Sequence, residues 1–436
     1  MRFLKSIRRG VMATMLTSAV FLSCEDDGST DVGLIGLNQS EAAGAVRADT
    51  LYIDQIVQQR SFMDSVNTSG ADRWYVGKID SYEFRSLMKF FFTADVESVT
   101  VQSANLKLVT TESYGGTGSL TINLHPIKKA WTAEDLRWNR FQENADFGDP
   151  VASTTITLPL AAGTTVIIPI PKETVQHWIW AINDSNRAKL NNGLMMSFSS
   201  GANVVQQFYS SNVFTTANLP DTTKTAFLDV FYSKFNPVNQ VLTVDHAFSI
   251  PTDLRGNSGL SGYIYRDNSP QSANTLTVGG GVPYRSLLKF NTSKIATNGT
   301  ISNAELVMTL DQSGNYLFNQ GDTLSLQGLR VNEDVPDWKP GMVELNGTDL
   351  SRLFNDTKFS RRVTDDISDD TLRINITNLV HEWAINPSGN FGMQLFSANE
   401  PLNIYSHLFR VRFLSDSLDR EKSPKIILTY TLPPNR

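Results

Sequence analysis

The chain carries one cysteine in 436 residues, Cys24. A single thiol excludes an intrachain disulfide and any zinc or iron–sulfur site built on several thiolates. Charge is scarce too: Asp, Glu, Lys and Arg make up 19%, against roughly 25% in an average globular chain. Disorder along the whole length needs high charge and few aromatics, and here aromatics reach 10% and hydrophobic residues 40%. Bases are outnumbered, 38 Lys plus Arg against 44 Asp plus Glu, for a net charge of −6. That balance argues against nucleic acid as a main partner. After residue 24 there is no stretch of 18 uncharged apolar residues, so a spanning helix is not expected there. What is plentiful is Ser, Thr, Asn and Gly, with 24 Phe, a composition suited to an extracellular β protein with long loops. At roughly 100–200 residues per domain, the length suggests two or three domains.

The first residues read as an address. Arg2, Lys5, Arg8 and Arg9 give a basic start, and residues 11–22 form an apolar run. A bilayer span needs about 20 residues, so this run fits the middle of a secretory signal peptide. It ends in Phe21-Leu22-Ser23-Cys24. This resembles the bacterial lipobox, in which the Cys is acylated and becomes the new N-terminus; Phe21 stands where Leu is usual. Glu25-Asp26-Asp27 follows, and resembles the surface-export signal of Bacteroidota lipoproteins. The expectation is a signal peptide at 1–23, lipidation at Cys24, a flexible acidic tether over 24–48 and an outer-membrane, surface-exposed location. The only membrane contact is then the lipid anchor. As a random coil the tether would reach roughly 25–30 Å.

Beyond the tether the sequence repeats itself. Phe84-Arg85-Ser86-Leu87-Met88-Lys89-Phe90 returns as Tyr284-Arg285-Ser286-Leu287-Leu288-Lys289-Phe290. Ser103-Ala104-Asn105-Leu106 returns as Asn303-Ala304-Glu305-Leu306, and Val76-Gly77 as Val278-Gly279. Val175 and Trp178 are matched by Val380 and Trp383, and Tyr209-Ser210 by Tyr405-Ser406. Residues 227–231 answer to 426–430. Order is kept throughout, so two domains are expected, 49–235 and 241–433, joined by a short polar link around Pro237.

Most segments alternate with period two, as in Leu120-Thr121-Ile122-Asn123-Leu124-His125, which is the strand signal. Strands of this length between Gly, Asn and Asp turns predict an all-β fold of two tandem jelly-roll-like β-sandwich domains. One short capping helix is expected in each. Val175, Trp178, Ile179 and Ile182 share a helical face behind Pro171, as do Ile376, Leu379, Val380 and Trp383 behind Thr377, a candidate N-cap.

These residues also carry a family resemblance. Arg-Ser-Leu-x-Lys-Phe, then x-Ala-x-Leu-x-Leu, then Trp131-Thr132-Ala133-Glu134-Asp135-Leu136-Arg137-Trp138-Asn139, then a strand and a Val-x-x-Trp helix resemble the DNRLRE-type β-sandwich domain. The resemblance covers both copies and implies a domain of secreted surface proteins, found beside polysaccharide-degrading enzymes, with some relatives classed as carbohydrate-binding modules. The second copy departs from the pattern at Trp338, which is followed by Lys339-Pro340-Gly341 and an acidic loop.

Little in the sequence points to catalysis. Gly-x-Ser-x-Gly, His-Glu-x-x-His and a Gly-rich phosphate loop are all missing. His177 and His381-Glu382 do not occupy equivalent repeat positions, and no carboxylate pair stands out as a glycosidase pair. Asp365-Asp366 and Asp369-Asp370 offer hard oxygens to calcium, on a spacing unlike a known calcium loop. No cofactor or metal is expected, and no enzyme.

The binding expectation rests on the repeated strand. Alternation puts Phe84, Ser86, Met88 and Phe90 on the core face and Arg85, Leu87 and Lys89 outward, with Arg85 and Lys89 roughly 13–14 Å apart. Arg285 and Lys289 repeat that row. Outward cations on an acidic protein suit sulfated or uronic glycans, unless they pair with neighbouring carboxylates. Trp74, Tyr75 and Tyr82 flank the strand as candidate stacking platforms, with Tyr263 and Tyr265 loosely comparable. The candidate ligand residues are thus Arg85, Lys89, Arg285, Lys289, Trp74 and Tyr82. The leading function is a non-catalytic surface lipoprotein that captures acidic polysaccharide or acts in adhesion. The alternatives are an accessory subunit of an outer-membrane protein complex and an unrecognised glycan-active enzyme.

Overall fold

In this computed structural model the structure describes residues 47–63, 66–92, 99–181, 191–199, 201, 203–213, 221, 223–236, 241–249, 260–268, 276–295, 299–311, 323–331, 359–362, 371–397, 407–415 and 421–432. Cys24, the tether before Arg47, Ile182, Trp338, the Asp365–370 quartet and Tyr405-Ser406 lie outside them.

The first half contains β1 (Arg47–Ile53), β2 (Ile56–Met63), β3 (Arg73–Ile79), β4 (Tyr82–Met88), β5 (Val99–Gly115), β6 (Gly118–Pro126), β7 (Ala152–Leu158), β8 (Thr165–Ile170), α1 (Lys172–Trp180), β9 (Leu194–Ser199), β10 (Val204–Tyr209) and β11 (Phe227–Asn236). The second contains β12 (Val241–Ser249), β13 (Ser261–Asp267), β14 (Leu276–Gly280), β15 (Tyr284–Phe290), β16 (Thr300–Thr309), β17 (Thr323–Arg330), β18 (Phe359–Arg362), β19 (Thr371–Asn375), α2 (Thr377–Ile385), β20 (Met393–Ser397), β21 (Phe409–Phe413) and β22 (Lys425–Leu432). The fold is all-β and sandwich-like, and its recorded strand pairings are antiparallel.

Pairing repeats with the sequence. Leu106 faces Leu228 and Ile168 on its two sides, and Leu306 faces Ile426 and Ile374. Two cores follow. One gathers Trp74, Met88, Phe90, Leu106, Ile168, Trp178 and Leu228; the other Leu288, Phe290, Leu306, Ile374, Trp383 and Leu428. Each helix buries its Val-x-x-Trp stripe, Val175 with Trp178 and Val380 with Trp383. Phe90 and Trp178 stack with centroids 5.9 Å apart. The Thr377 expectation is corrected: Ile376 holds the N-cap position of α2, and the Thr377 hydroxyl accepts the Ala304 amide at 2.9 Å instead, tying the helix to β16.

The repeated Val-Gly has a backbone cause. Gly77 has φ +128, and a Cβ there would stand 2.3 Å from the Val204 carbonyl oxygen; at Gly279 it would stand 2.7 Å from that of Val282. Only Gly lets the neighbouring chain come so close.

Sheet membership does not stop at the boundary expected between 235 and 241. β12 turns back and pairs with β11 over nine residues, Val230 facing Ala247, and β13 then joins β4, Tyr263 facing Ser86. Reciprocally β1 lies beside β22, and β2 joins β15, Ser61 facing Ser286. Each repeat thus sends its leading strands into the other repeat's sandwich. Chain length explains the choice. The four residues 237–240 between β11 and β12 reach roughly 13–14 Å at full extension, which suits a return along β11. The equivalent places beside β22 and β15 are then left for β1 and β2. Residues 48–432 accordingly pack as one compact body.

Candidate functional site

The outer face of β4 and β13 carries the candidate cations. Arg85 faces Ile264, and Glu83 faces Arg266, so all four project to one side. Leu87 and Met195 of β9 share that side. The expectation of an outward row open to solvent fails at its centre: Leu87 is fully buried, in an apolar cluster with Ile127, Trp131, Leu136, Phe141, Phe147, Met195 and Ile264. The cover is the segment between β6 and β7. Apolar side chains on both faces of β4 demand such a lid.

That segment is built of short hydrogen-bonded turns. Trp131 Nε1 donates to the Asn192 carbonyl at 2.7 Å. The Asp135 carboxylate accepts the Thr132 amide at 2.9 Å and the Thr132 hydroxyl at 3.0 Å, closing a 3-10 turn over Ala133–Asp135. These bonds hold its carboxyl below the usual range. A second 3-10 turn follows over Trp138–Arg140, and Lys129 pairs with Asp146 at 3.0 Å. Buried His125 bridges lid and sheet, with Nδ1 2.8 Å from the Gly148 carbonyl and Nε2 2.8 Å from Ser197 Oγ.

At the rim of the lid the Trp138 ring meets two guanidinium groups. The Arg85 and Arg266 Cζ atoms each lie 4.5 Å from its centroid. Arg266 also gives Nε and a terminal nitrogen to Glu83, at 3.1 and 2.7 Å. Arg85 makes no ion pair with any described residue, and its buried Nε has no hydrogen-bond partner. Burial, and then the neighbouring Arg266 charge, pull its pKa below the ordinary arginine value, against Glu143 and Glu83. Lys89, one residue past β4, is half-buried; its Nζ lies 5.7 Å from the Phe91 ring and burial lowers its pKa. Arg137 and Arg140, at the two ends of the Trp138 turn, are exposed.

The other candidates are placed differently. Trp74 and Tyr82, expected as stacking platforms, are fully buried, and so are Tyr75 and Tyr263. Trp74 points into the first core, while Tyr75, Tyr82 and Tyr263 join Phe84, Tyr114 and Tyr284 in an aromatic cluster. None can stack on a sugar from solvent in this structure. Arg285 is 5% exposed, so the second copy does not present its arginine as the first does. Lys289 is half-buried with its Nζ 6.0 Å from the Phe391 ring. Sequence reasoning missed Arg266 and the role of Trp138. Arg137-Trp138 was visible in the paired-Trp segment, but nothing local ties Arg266 to it.

Among the described residues no group of three or more His, Cys, Asp or Glu is placed to hold a metal ion, and no helix is long and apolar enough to cross a membrane. No family model matches the sequence, and no curated protein matches it. Among solved structures, one of the Macrobrachium rosenbergii nodavirus aligns over 100% of this chain and 98% of that chain at 9% identity, with a TM-score of 0.14. A likeness that slight carries no argument.

Proposed function

We propose that the chain is a non-catalytic, lipid-anchored protein of the outer-membrane surface that captures extracellular acidic polysaccharide, or adheres through it, on the outer face of the first sandwich. The observation that carries this reading is the state of Arg85 and Lys89. Both are half-buried and, among the described residues, neither forms an ion pair. In a chain with more acids than bases, cations kept apart from their own carboxylates are available to an anion from outside. A partly desolvated guanidinium holds carboxylate or sulfate bidentately. The anchor reading rests on the basic start, the apolar run and Cys24.

The test is affinity electrophoresis of the soluble chain from residue 25 in gels containing alginate, polygalacturonate or heparin. Retardation that weakens with salt supports capture, and Arg85→Ala with Lys89→Ala removes it. Failure of all three polymers to retard the protein overturns the reading.

A second reading, an accessory subunit of an outer-membrane protein complex, is favoured by a separate apolar row. Phe235, Leu242 and Val244 are 52, 61 and 54% exposed. Phe235 faces Leu242 across the β11–β12 hairpin, so the three share one side. Co-purification of a membrane protein after detergent extraction, lost on Leu242→Ser with Val244→Ser, would favour it.

A further inference from the structure

Building on the polysaccharide reading, we infer that recognition is centred on the Trp138 turn, that its ligand is a chain of repeated oxyanions, and that each protein molecule holds one such site in spite of its internal duplication. Two guanidinium groups meet at the ring of this three-residue turn, and two further arginines belong to the turn itself. Arg85 and Arg266 lie against the Trp138 ring at 4.5 Å each, and Arg137 and Arg140 flank it in sequence and are exposed. Contact with the indole restricts the first two groups, so less side-chain entropy is lost when they bind. Glu83 occupies two of the Arg266 nitrogens. Among the described residues, the donors left over are the terminal nitrogens of Arg85, the last nitrogen of Arg266 and those of Arg137 and Arg140. Two guanidinium groups at the Trp138 ring with two more arginines three residues apart in the same turn match a polymer bearing one carboxylate or sulfate per sugar better than a lone ion.

The acidic groups nearby limit the site without cancelling it. Asp135 is held by Thr132, and Asp146 by Lys129 and the Gln142 amide. Glu134 and Glu143 are exposed, and Glu143 acts on Arg85 through space.

The second copy differs at Arg285 and in the sequence of the matching segment. Arg285 is buried, and the sequence at the matching segment reads Trp338-Lys339-Pro340-Gly341, without the Arg-Trp pair. In sequence, the strand motif is kept in the second copy and the Arg-Trp pair is not.

Isothermal titration of the mature chain with two probes of matched length, an oligogalacturonate and a heparin-derived oligosaccharide, tests this. The expected result is one site per chain, with the probe that binds tighter telling carboxylate from sulfate. Arg137→Ala with Arg140→Ala should weaken binding about tenfold or more, the scale of lost charge-assisted hydrogen bonds, with an unchanged melting temperature because both side chains are exposed. Glu143→Gln should tighten it. Two sites per chain, or undiminished binding by the double variant, overturns the inference while leaving polysaccharide capture standing. Binding of neither probe by the unaltered chain removes both.

Discussion

Tyr82 of β4 and Tyr284 of β15 stack with ring centroids 6.1 Å apart and planes inclined by 20°. They join the two sandwiches, within a cluster where Tyr75 meets Tyr263 edge-on at 4.9 Å. Around it Arg410 pairs with Asp80 at 3.0 Å, and the Leu408 amide donates to the Tyr114 hydroxyl at 3.2 Å. Because these contacts are apolar inside and paired at the margin, the halves should unfold together. Tyr284→Ala is expected to cost about 3–5 kcal/mol, as large-to-small changes of buried aromatics do, and to split one calorimetric transition into two. Two resolved transitions in the unaltered protein would show that the cluster does not couple the halves.

Strand exchange makes a second prediction. A protease site placed in residues 237–240 cuts the chain between repeats. Since β2 stays paired with β15 and β13 with β4, the pieces should remain together on size exclusion and separate only in denaturant. Two independent domains would part at once.

The buried tryptophans separate volume from polarity. Trp74 and Trp383 are at most 1% exposed, and among the described residues neither indole N–H has a hydrogen-bond partner. An unsatisfied buried donor costs about 1–3 kcal/mol. Trp383→Phe should therefore be close to neutral in urea denaturation, while Trp383→Ala costs about 3–5 kcal/mol. Equal losses for both substitutions would refute the argument.

Alkaline pH should unfold the protein through its tyrosines. Burial holds the hydroxyls of Tyr75, Tyr82 and Tyr114 well above their ordinary value, with Glu112 adding to the effect at Tyr75 and Tyr114. Unfolded tyrosine ionises near 10. The contribution to stability is thus complete below that pH and declines as pH rises beyond it, because only the unfolded chain releases these protons readily. Absorbance at the tyrosinate band should include a fraction that appears only as circular dichroism is lost. Smooth titration of every tyrosine before unfolding would contradict this.

The amino-acid sequence by itself determined the strands, the two helices and the duplication, because period-two and helical apolar spacing act locally and are copied with the repeat. It placed Leu106 and Leu306, and Trp178 and Trp383, in equivalent cores for that reason. It could not assign partners between strands. Ser86 lies opposite Tyr263 and Ser286 opposite Ser61, a choice set by the short link before β12 and by which sheet edges were still open. Nor could alternation distinguish a face open to water from one covered by another part of the chain. Leu87 beside Arg85 was a local hint of cover, yet the lid over it, the burial of Trp74, Tyr82 and Arg285, and the meeting of Arg85 with Arg266 at Trp138 come from residues far apart in sequence. Tertiary structure alone decided those, since exposure is a property of what packs above a side chain and not of the side chain itself.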